Sequence, residues 1–374
     1  MLKSEFSLEN KPHTATFAPR SRAAVARWAH NPKVGSSILP FATKERAIRL
    51  GRWLSPIFPK QLHIQLARTD HLLSSCCPMC ALQNISMKSG FVNIFGRPNA
   101  GKSTLLNALM GEKLAIVSPK VQTTRHRIKG ILTEKEYQVI FSDTPGIIEP
   151  KYKLHEKMMQ AVKSALEDAD VAMILVDVKE SWEECDAIFT ALKLKVPAIV
   201  ALNKIDLVSE ERIKEAIEFF SAKEYCKKII TISALSGINK KKLVNAILEF
   251  LPEGEPFYDG DDITDLNTRF FVSELIREKI YELAQDEIPY HTAVLIREYQ
   301  EKTTLVKIVA DIIVHRETQK AILIGDKGSM IKKIGTEARK DIEAFIQQKV
   351  FLELFVKVKP KWRENELQLK EYGY

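Results

Sequence analysis

The chain has 374 residues, 45% of them apolar and 28% charged, with 56 Lys and Arg against 48 Asp and Glu. This length supports two buried cores, and the composition excludes a disordered or fibrous chain. No run approaches the ~18 apolar residues of a membrane-crossing helix. The net charge of +8 lies wholly in residues 1–86, which carry 12 basic and 4 acidic side chains; from Met87 onward 44 of each balance.

Residues 1–86 lack periodicity, and seven prolines from Pro12 to Pro78 interrupt any long helix. Three readings of this stretch stay open: an organelle transit peptide, a basic tail, or a start site set too early. We favour the last, with Met87 as the first residue, because Met87 stands just before a strand that opens a complete domain. Of the five cysteines, Cys76, Cys77 and Cys80 cluster here, while Cys185 and Cys226 stand alone. That is no disulfide framework and favours a reducing compartment. The Cys77–Cys80 CxxC lacks a second ligand pair, so we read no metal site into it.

Beyond Gly90, short apolar runs predict strands at Gly90–Phe95, Ile128–Leu132, Gln138–Ser142, Val171–Asp177, Ala198–Leu202 and Ile229–Ile232. Amphipathic helices alternate with them, including Lys102–Met110, Lys153–Glu167 and Lys240–Phe250. Continuous apolar strands alternating with helices predict a mostly parallel sheet covered on both faces, and the close pair at 128–142 adds one antiparallel edge strand. A Pro-, Gly- and acid-rich stretch at 251–262 then reads as a linker. After it come a helix at Arg269–Ala284, strands at Thr292–Glu298 and Thr304–Val314, two helices flanking Gly325–Gly328, and a strand at Val350–Val358. This is an α-β-β-α-α-β unit. We therefore expect an unassigned extension at 1–86, domains at 87–253 and 269–374, and a linker at 254–268.

Gly96-Arg97-Pro98-Asn99-Ala100-Gly101-Lys102-Ser103, with Thr104 next, fits GxxxxGK[ST] between a strand and a helix. Glycines let the backbone wrap a phosphate, Lys102 reaches the β- and γ-phosphates, and the Ser103 hydroxyl suits Mg²⁺. Asn203-Lys204-Ile205-Asp206 follows a strand and selects guanine, since a carboxylate there accepts both the N1–H and the exocyclic amine. Ser233-Ala234-Leu235 offers a backbone N–H to guanine O6. Asp143-Thr144-Pro145-Gly146 ends another strand: Asp143 suits Mg²⁺ through water, and the Gly146 N–H suits the γ-phosphate. Of Thr123 and Thr124 we favour Thr124 as the hydroxyl that completes the Mg²⁺ shell. Lys102, Thr124, Asp143 and Gly146 are thus the expected catalytic set, in two switch segments ordered by the γ-phosphate. Ile147 stands where small signalling GTPases carry a water-orienting Gln, so slow intrinsic turnover is expected.

Gly325-Asp326-Lys327-Gly328 between two helices allows close approach of single-stranded nucleic acid. In the helix that follows, Ile331, Ile334, Ala338, Ile342 and Phe345 repeat at helical spacing and predict one buried face. Lys332, Lys333 and Arg339 fall elsewhere on it. Residues 327–363 carry 10 basic and 4 acidic side chains, whereas 259–326 carry 8 and 14. The charge supporting RNA binding is therefore local.

In this order, GRPNAGKS, QTTRHR (122–127), DTPG, NKID and SAL, continued by IGDKGSMIKKIGTEARKDIE (324–343) and LELFVKVKPKW (352–362), resemble the Era family of bacterial GTPases. The resemblance covers about 87–374. It implies an α/β P-loop GTPase domain, mostly parallel with one antiparallel edge strand, followed by a small α+β type II KH domain. It further implies GTP, GDP and Mg²⁺ as ligands, and RNA contacts at Gly325, Asp326, Lys327, Gly328, Lys332, Lys333 and Arg339. The implied partners are 16S rRNA near its 3′ end and the 30S ribosomal subunit during assembly and rRNA processing. A monomer in the cytoplasm is expected, with peripheral association with the inner membrane, or an organelle if residues 1–86 are a transit peptide. An alternative stays open, in which nucleotide is mainly structural and RNA tethering is the function. A tRNA-modification GTPase would need an inserted helical domain and a C-terminal Cys, which the sequence lacks.

Overall fold

The computed structural model describes residues 87–374. The basic extension, its CxxC and its three readings lie outside the described residues. Strand β1 (Lys88–Gly96) turns at once into helix α1 (Lys102–Met110), which Gly111 ends in a left-handed cap. There follow β2 (Ile128–Thr133), β3 (Tyr137–Asp143), α2 (Lys153–Glu167), β4 (Val171–Asp177), α3 (Trp182–Ala191), β5 (Ala198–Asn203), α4 (Glu210–Ser221), β6 (Cys226–Thr231) and α5 (Lys240–Leu248). The sheet order is β2-β3-β1-β4-β5-β6; β2 alone is antiparallel to its neighbour. β4 and β5 are buried at every residue, as strands covered on both faces must be.

One apolar cluster (Ile94, Leu106, Phe141, Ile199, Leu243) fills one side of this sheet, and another (Phe95, Ile174, Phe189, Val200, Phe220) the other. The parallel strands all deliver their carboxyl ends to the same rim, with Ile94 paired to Asp143 and Asp177 to Asn203. In open α/β sheets that rim is where ligands bind.

The second unit begins with α6 (Thr268–Leu283), capped by the Asn267 side chain. It continues with β7 (Ala293–Glu301), β8 (Val306–Val314), α7 (Glu317–Ile324), α8 (Ser329–Ile346), β9 (Val350–Val358) and α9 (Glu366–Glu371). Its sheet runs β7-β8-β9, antiparallel then parallel, with a core of residues such as Ile276, Ile280, Ile308, Ile312 and Ile342. The buried face of α8 is Ile334, Ala338, Ile342 and Ile346. Ile331 and Phe345 are only half-buried, at the margins of that face, and the Phe345 ring instead meets Phe271 at 5.5 Å. Ile346 takes the position that helical spacing from Ile342 also permits.

The Pro- and Gly-rich connection is anchored. Buried Gln138 accepts from the Phe257 and Tyr258 amides at 2.7 and 3.0 Å and donates to the Tyr258 carbonyl at 2.8 Å. Phe257 packs its ring on Phe91. Composition signals a linker, but one buried amide side chain fastens it to the first sheet.

Candidate functional site

The turn from β1 to α1 closes around Lys102. Its ammonium is buried and donates to the Gly96 and Arg97 carbonyls at 3.1 and 2.8 Å. Burial lowers its pKa to about 8, against the pull of Asp143. Gly101 has φ 97°, open to glycine, and a Cβ there would collide with the Asn203 amide. Gly96 has no room either, since a Cβ would lie 2.6 Å from the Leu175 carbonyl. Arg97 points away toward α3, pairing with Glu184 at 2.6 Å and Glu180 at 3.5 Å. Pro98, Asn99, Thr104 and Gly146 line a cleft of about 380 Å³ together with Lys102, Ser103, Thr124 and Lys204. Ala100 is buried beneath it.

Three oxygens meet at the mouth of this turn. The Ser103 hydroxyl donates to Asp143 Oδ2 at 2.6 Å, Thr124 donates to the same oxygen at 3.0 Å, and the two hydroxyls lie 2.8 Å apart. Asp143 is fully buried, which pushes its carboxyl above the usual range despite Lys102 and both hydroxyls. Its Oδ1 has no hydrogen-bond partner. An all-oxygen set with one orphaned carboxylate oxygen fits a hard divalent cation such as Mg²⁺. Thr123 lines the same cleft, and its carbonyl accepts from Arg277.

The next segment is fixed from below. Thr144 donates to the Ile94 carbonyl at 2.7 Å, Pro145 is buried, and Gly146 abuts Pro98 so closely that any Cβ would clash. Ile147 donates its amide to Gly96 at 3.2 Å and turns its side chain into the cluster around Phe95. It is retracted from the cleft.

At the far end of the rim, buried Asn203 ties two loops together. It donates to the Ala100 carbonyl at 2.8 Å and accepts from the Ala234 amide at 2.9 Å. Lys204 reaches over the turn to the Asn99 carbonyl at 2.8 Å and to Asp177 at 2.6 Å. Asp206 and Leu235 are exposed, while Ser233 and Ala234 are buried. One loop cluster thus gathers the residues from three separate motifs.

In the second unit the GDKG turn is an exposed loop between α7 and α8. Gly325, Lys327 and Gly328 have φ 72°, 48° and 80°. Gly325 is required twice, since a Cβ would also lie 2.8 Å from the Met330 backbone. Asp326, Lys327, Lys332, Lys333 and Arg339 are exposed. Ile322, one turn before Gly325, is 52% exposed, an apolar side chain that periodicity assigns no special role.

What the motifs do not show is the seam between the units. Lys113 pairs with buried Glu278 at 2.6 Å; Lys120 donates to the Tyr281 and Ala284 carbonyls; Arg125 is buried among residues 281–292 and Tyr374. A third cluster joins Leu154 and Met158 of α2 to Ala293, Ile313, Trp362, Leu369 and Tyr372. Buried arginines carry no periodicity, so the spacing of apolar residues is silent here.

Comparison with known proteins gives two matched families: one described as a 50S ribosome-binding GTPase over residues 91–204, and the KH domain over 287–363. GTPase Era of Geotalea uraniireducens is 46% identical over 290 residues, covering 77% of this chain and 98% of the relative. GTPase Era of Geotalea daltonii is 43% identical, covering 76% and 97%. A crystal structure of an Aquifex aeolicus Era variant bound to GDP·AlF₄⁻ superposes with TM-score 0.75 at 42% identity, covering 77% of this chain and 99% of that one. A structure of Era with MgGDPNP and nucleotides 1506–1542 of 16S rRNA gives 0.75 at 41%, with the same coverage.

Proposed function

The chain belongs to the Era family of GTPases, and we propose that it is a GTP-hydrolysing switch that binds 16S rRNA near its 3′ end and assists 30S subunit assembly and rRNA processing. The observation that carries this reading is the meeting of Ser103, Thr124 and Asp143 beside the Lys102 turn, on a segment whose next residue, Arg125, is seated in the second unit. In this reading residues 87–253 are the GTPase domain, 254–268 the connection and 269–374 the type II KH domain. An Era structure with both MgGDPNP and nucleotides 1506–1542 of 16S rRNA supports the pairing of ligands.

The roles follow from the chemistry. Lys102 and the backbone amides of the turn hold the phosphates; Ser103 and Thr124, with Asp143 through water, would hold Mg²⁺, which would supply neutralisation of phosphate charge. Asp206 reads guanine, Asn203 and Lys204 brace its loop against the phosphate turn, and the Ala234 region flanks the base. The Gly146 amide senses the γ-phosphate. With Ile147 retracted, hydrolysis is slow until a partner completes the site. On the KH side, Gly325, Asp326 and Gly328 shape the turn, while Lys327, Lys332, Lys333 and Arg339 carry phosphate contacts, beside the exposed Ile322. We place the monomeric protein in the cytoplasm. Attachment to the inner membrane would be peripheral, since no helix among the described residues is long and apolar enough to cross it.

The test is multiple-turnover GTP hydrolysis with and without an RNA of the small-subunit 3′ end. Stimulation by RNA is expected; equal rates would leave nucleotide a structural role and RNA tethering the function. Asp206→Asn should shift preference from guanine to xanthine nucleotide, and unchanged GTP selectivity would remove Asp206 from base recognition.

A further inference from the structure

Arg125 directly follows the threonine whose hydroxyl meets Ser103 and Asp143, yet its side chain leaves the GTPase domain. It is 4% exposed. One terminal nitrogen donates to the Thr292 carbonyl at 2.7 Å and the Tyr374 hydroxyl at 3.2 Å. The other donates to the Pro289 and Tyr290 carbonyls at 3.1 and 3.2 Å and the Tyr281 hydroxyl at 3.3 Å. All five acceptors lie beyond the connection. Such a set demands a guanidinium, whose planar fork serves several fixed acceptors at once, where an ammonium offers three donors from one point.

The residues before it are tied to α6, which also carries Tyr281. The Gln122 carbonyl accepts from the Tyr281 hydroxyl at 3.1 Å, and the Thr123 carbonyl accepts from Arg277, itself fixed by Glu274 at 2.5 Å. So Gln122, Thr123 and Arg125 all hang from the KH domain. Thr124, between them, aims the other way, at the cation site. Ordering a loop segment costs conformational entropy, and here that ordering comes from outside the GTPase fold.

The geometry points to Arg125 as a positioning residue: by seating its guanidinium, the KH domain sets the Thr124 hydroxyl beside Ser103 and Asp143 and thereby favours GTP over GDP. The inference rests on the Mg²⁺–GTP switch reading above and adds the element that biases it. Because coupling is reciprocal, GTP with Mg²⁺ in turn fixes the seat on α6 and the Pro289–Thr292 turn. A seam that merely glued two domains would support both nucleotides equally, since GDP does not call on the ordered threonine.

The experiment uses the full chain, fluorescent GDP and a non-hydrolysable GTP analogue, each titrated over a range of Mg²⁺. R125A is expected to weaken analogue binding about 10- to 100-fold, raise the Mg²⁺ midpoint for it, and leave GDP affinity unchanged; R125K should rescue only part of the loss. The paired hydroxyl deletions Tyr281→Phe and Tyr374→Phe keep Arg125 and should give the same selectivity on a smaller scale, which covers the case of R125A failing to fold. Parallel loss of both nucleotides, or no loss, in folded variants overturns the positioning role. A wild-type chain whose analogue affinity ignores Mg²⁺ overturns the switch reading and this inference with it.

Discussion

The phosphate turn and the GDKG turn are both glycine-framed loops leading into a helix, yet they are built by opposite means. The phosphate turn is sunk into the rim of the sheet. Lys102, Asn203, Asp143 and Thr144 are all buried, and each holds a loop by a side-chain hydrogen bond. The GDKG turn stands out in solvent, shaped by backbone angles and one close approach at Gly325, with Lys327 exposed. A small, charge-dense triphosphate needs preorganised donors in a dry site, whereas single-stranded RNA needs an open surface that accepts a flexible chain. The difference should therefore appear in how far function and stability can be separated by mutation.

At the phosphate turn they should not separate. Lys102→Ala removes the cation facing the phosphates and leaves the Asp143 charge less compensated. Truncating one member of such a buried charge set costs about 2–5 kcal/mol, so GTP and GDP should both bind far more weakly in a fluorescence titration. Near-normal affinity would remove Lys102 from the phosphate site. The glycines extend the comparison. Gly101→Ala places a Cβ against the Asn203 amide at φ 97° and breaks the tie to Ala100, costing about 3 kcal/mol by the usual scale of local strain. Gly328→Ala meets nothing within 4 Å at φ 80°, so it carries only the left-handed penalty of about 1–2 kcal/mol. Equal losses in chemical denaturation would show that burial does not set the two turns apart.

This contrast also explains what could be read from the chain. Helices Lys102–Met110 and Lys153–Glu167 and strands Val171–Asp177 and Val350–Val358 have their expected bounds because long apolar runs end at Gly, Pro or charged residues. The phosphate motif was legible because its chemistry demands particular residue types at fixed spacing. The meeting of Thr124 with Ser103 and Asp143 was legible only as order along the chain. Arg125, Arg277 and Glu274 could not be found that way: a buried ion pair and a guanidinium seated on carbonyls look like ordinary surface charges in sequence. Ile331 and Phe345 are only half-buried for a related reason, although Phe345 still packs against the core. Helical spacing names a face but not where a neighbouring domain ends it, and Phe345 is drawn off by Phe271.

At the GDKG turn function and stability should separate. Lys327 is exposed, and no hydrogen bond or ion pair of its side chain to another described residue holds the helix pair. Lys327→Ala should leave thermal stability unchanged and weaken binding of a small-subunit 3′ RNA by losing one phosphate contact. The slope of log affinity against log salt should then fall in magnitude by about 0.7, the value for one contact to a single strand. An unchanged slope would place the phosphates elsewhere on the domain, and a lowered melting temperature would give Lys327 a structural share that its exposure denies.

The smallest expected effect lies at buried His155 and half-buried His291. Burial, with Arg363 next in weight, lowers both to about 4. His155 meets the Gln122 side chain at 3.2 Å and His291 meets Gln319 at 2.7 Å. Their depressed values mean that between pH 6.5 and 4 the unfolded chain takes up protons that the folded chain refuses. Stability should therefore fall as the pH is lowered through that window and be flat in this contribution above it. His291→Gln keeps a polar side chain but cannot titrate, so the fall between pH 6.5 and 4 should become shallower in chemical denaturation. If the variant and parent lose stability in parallel, His291 is protonated within the fold.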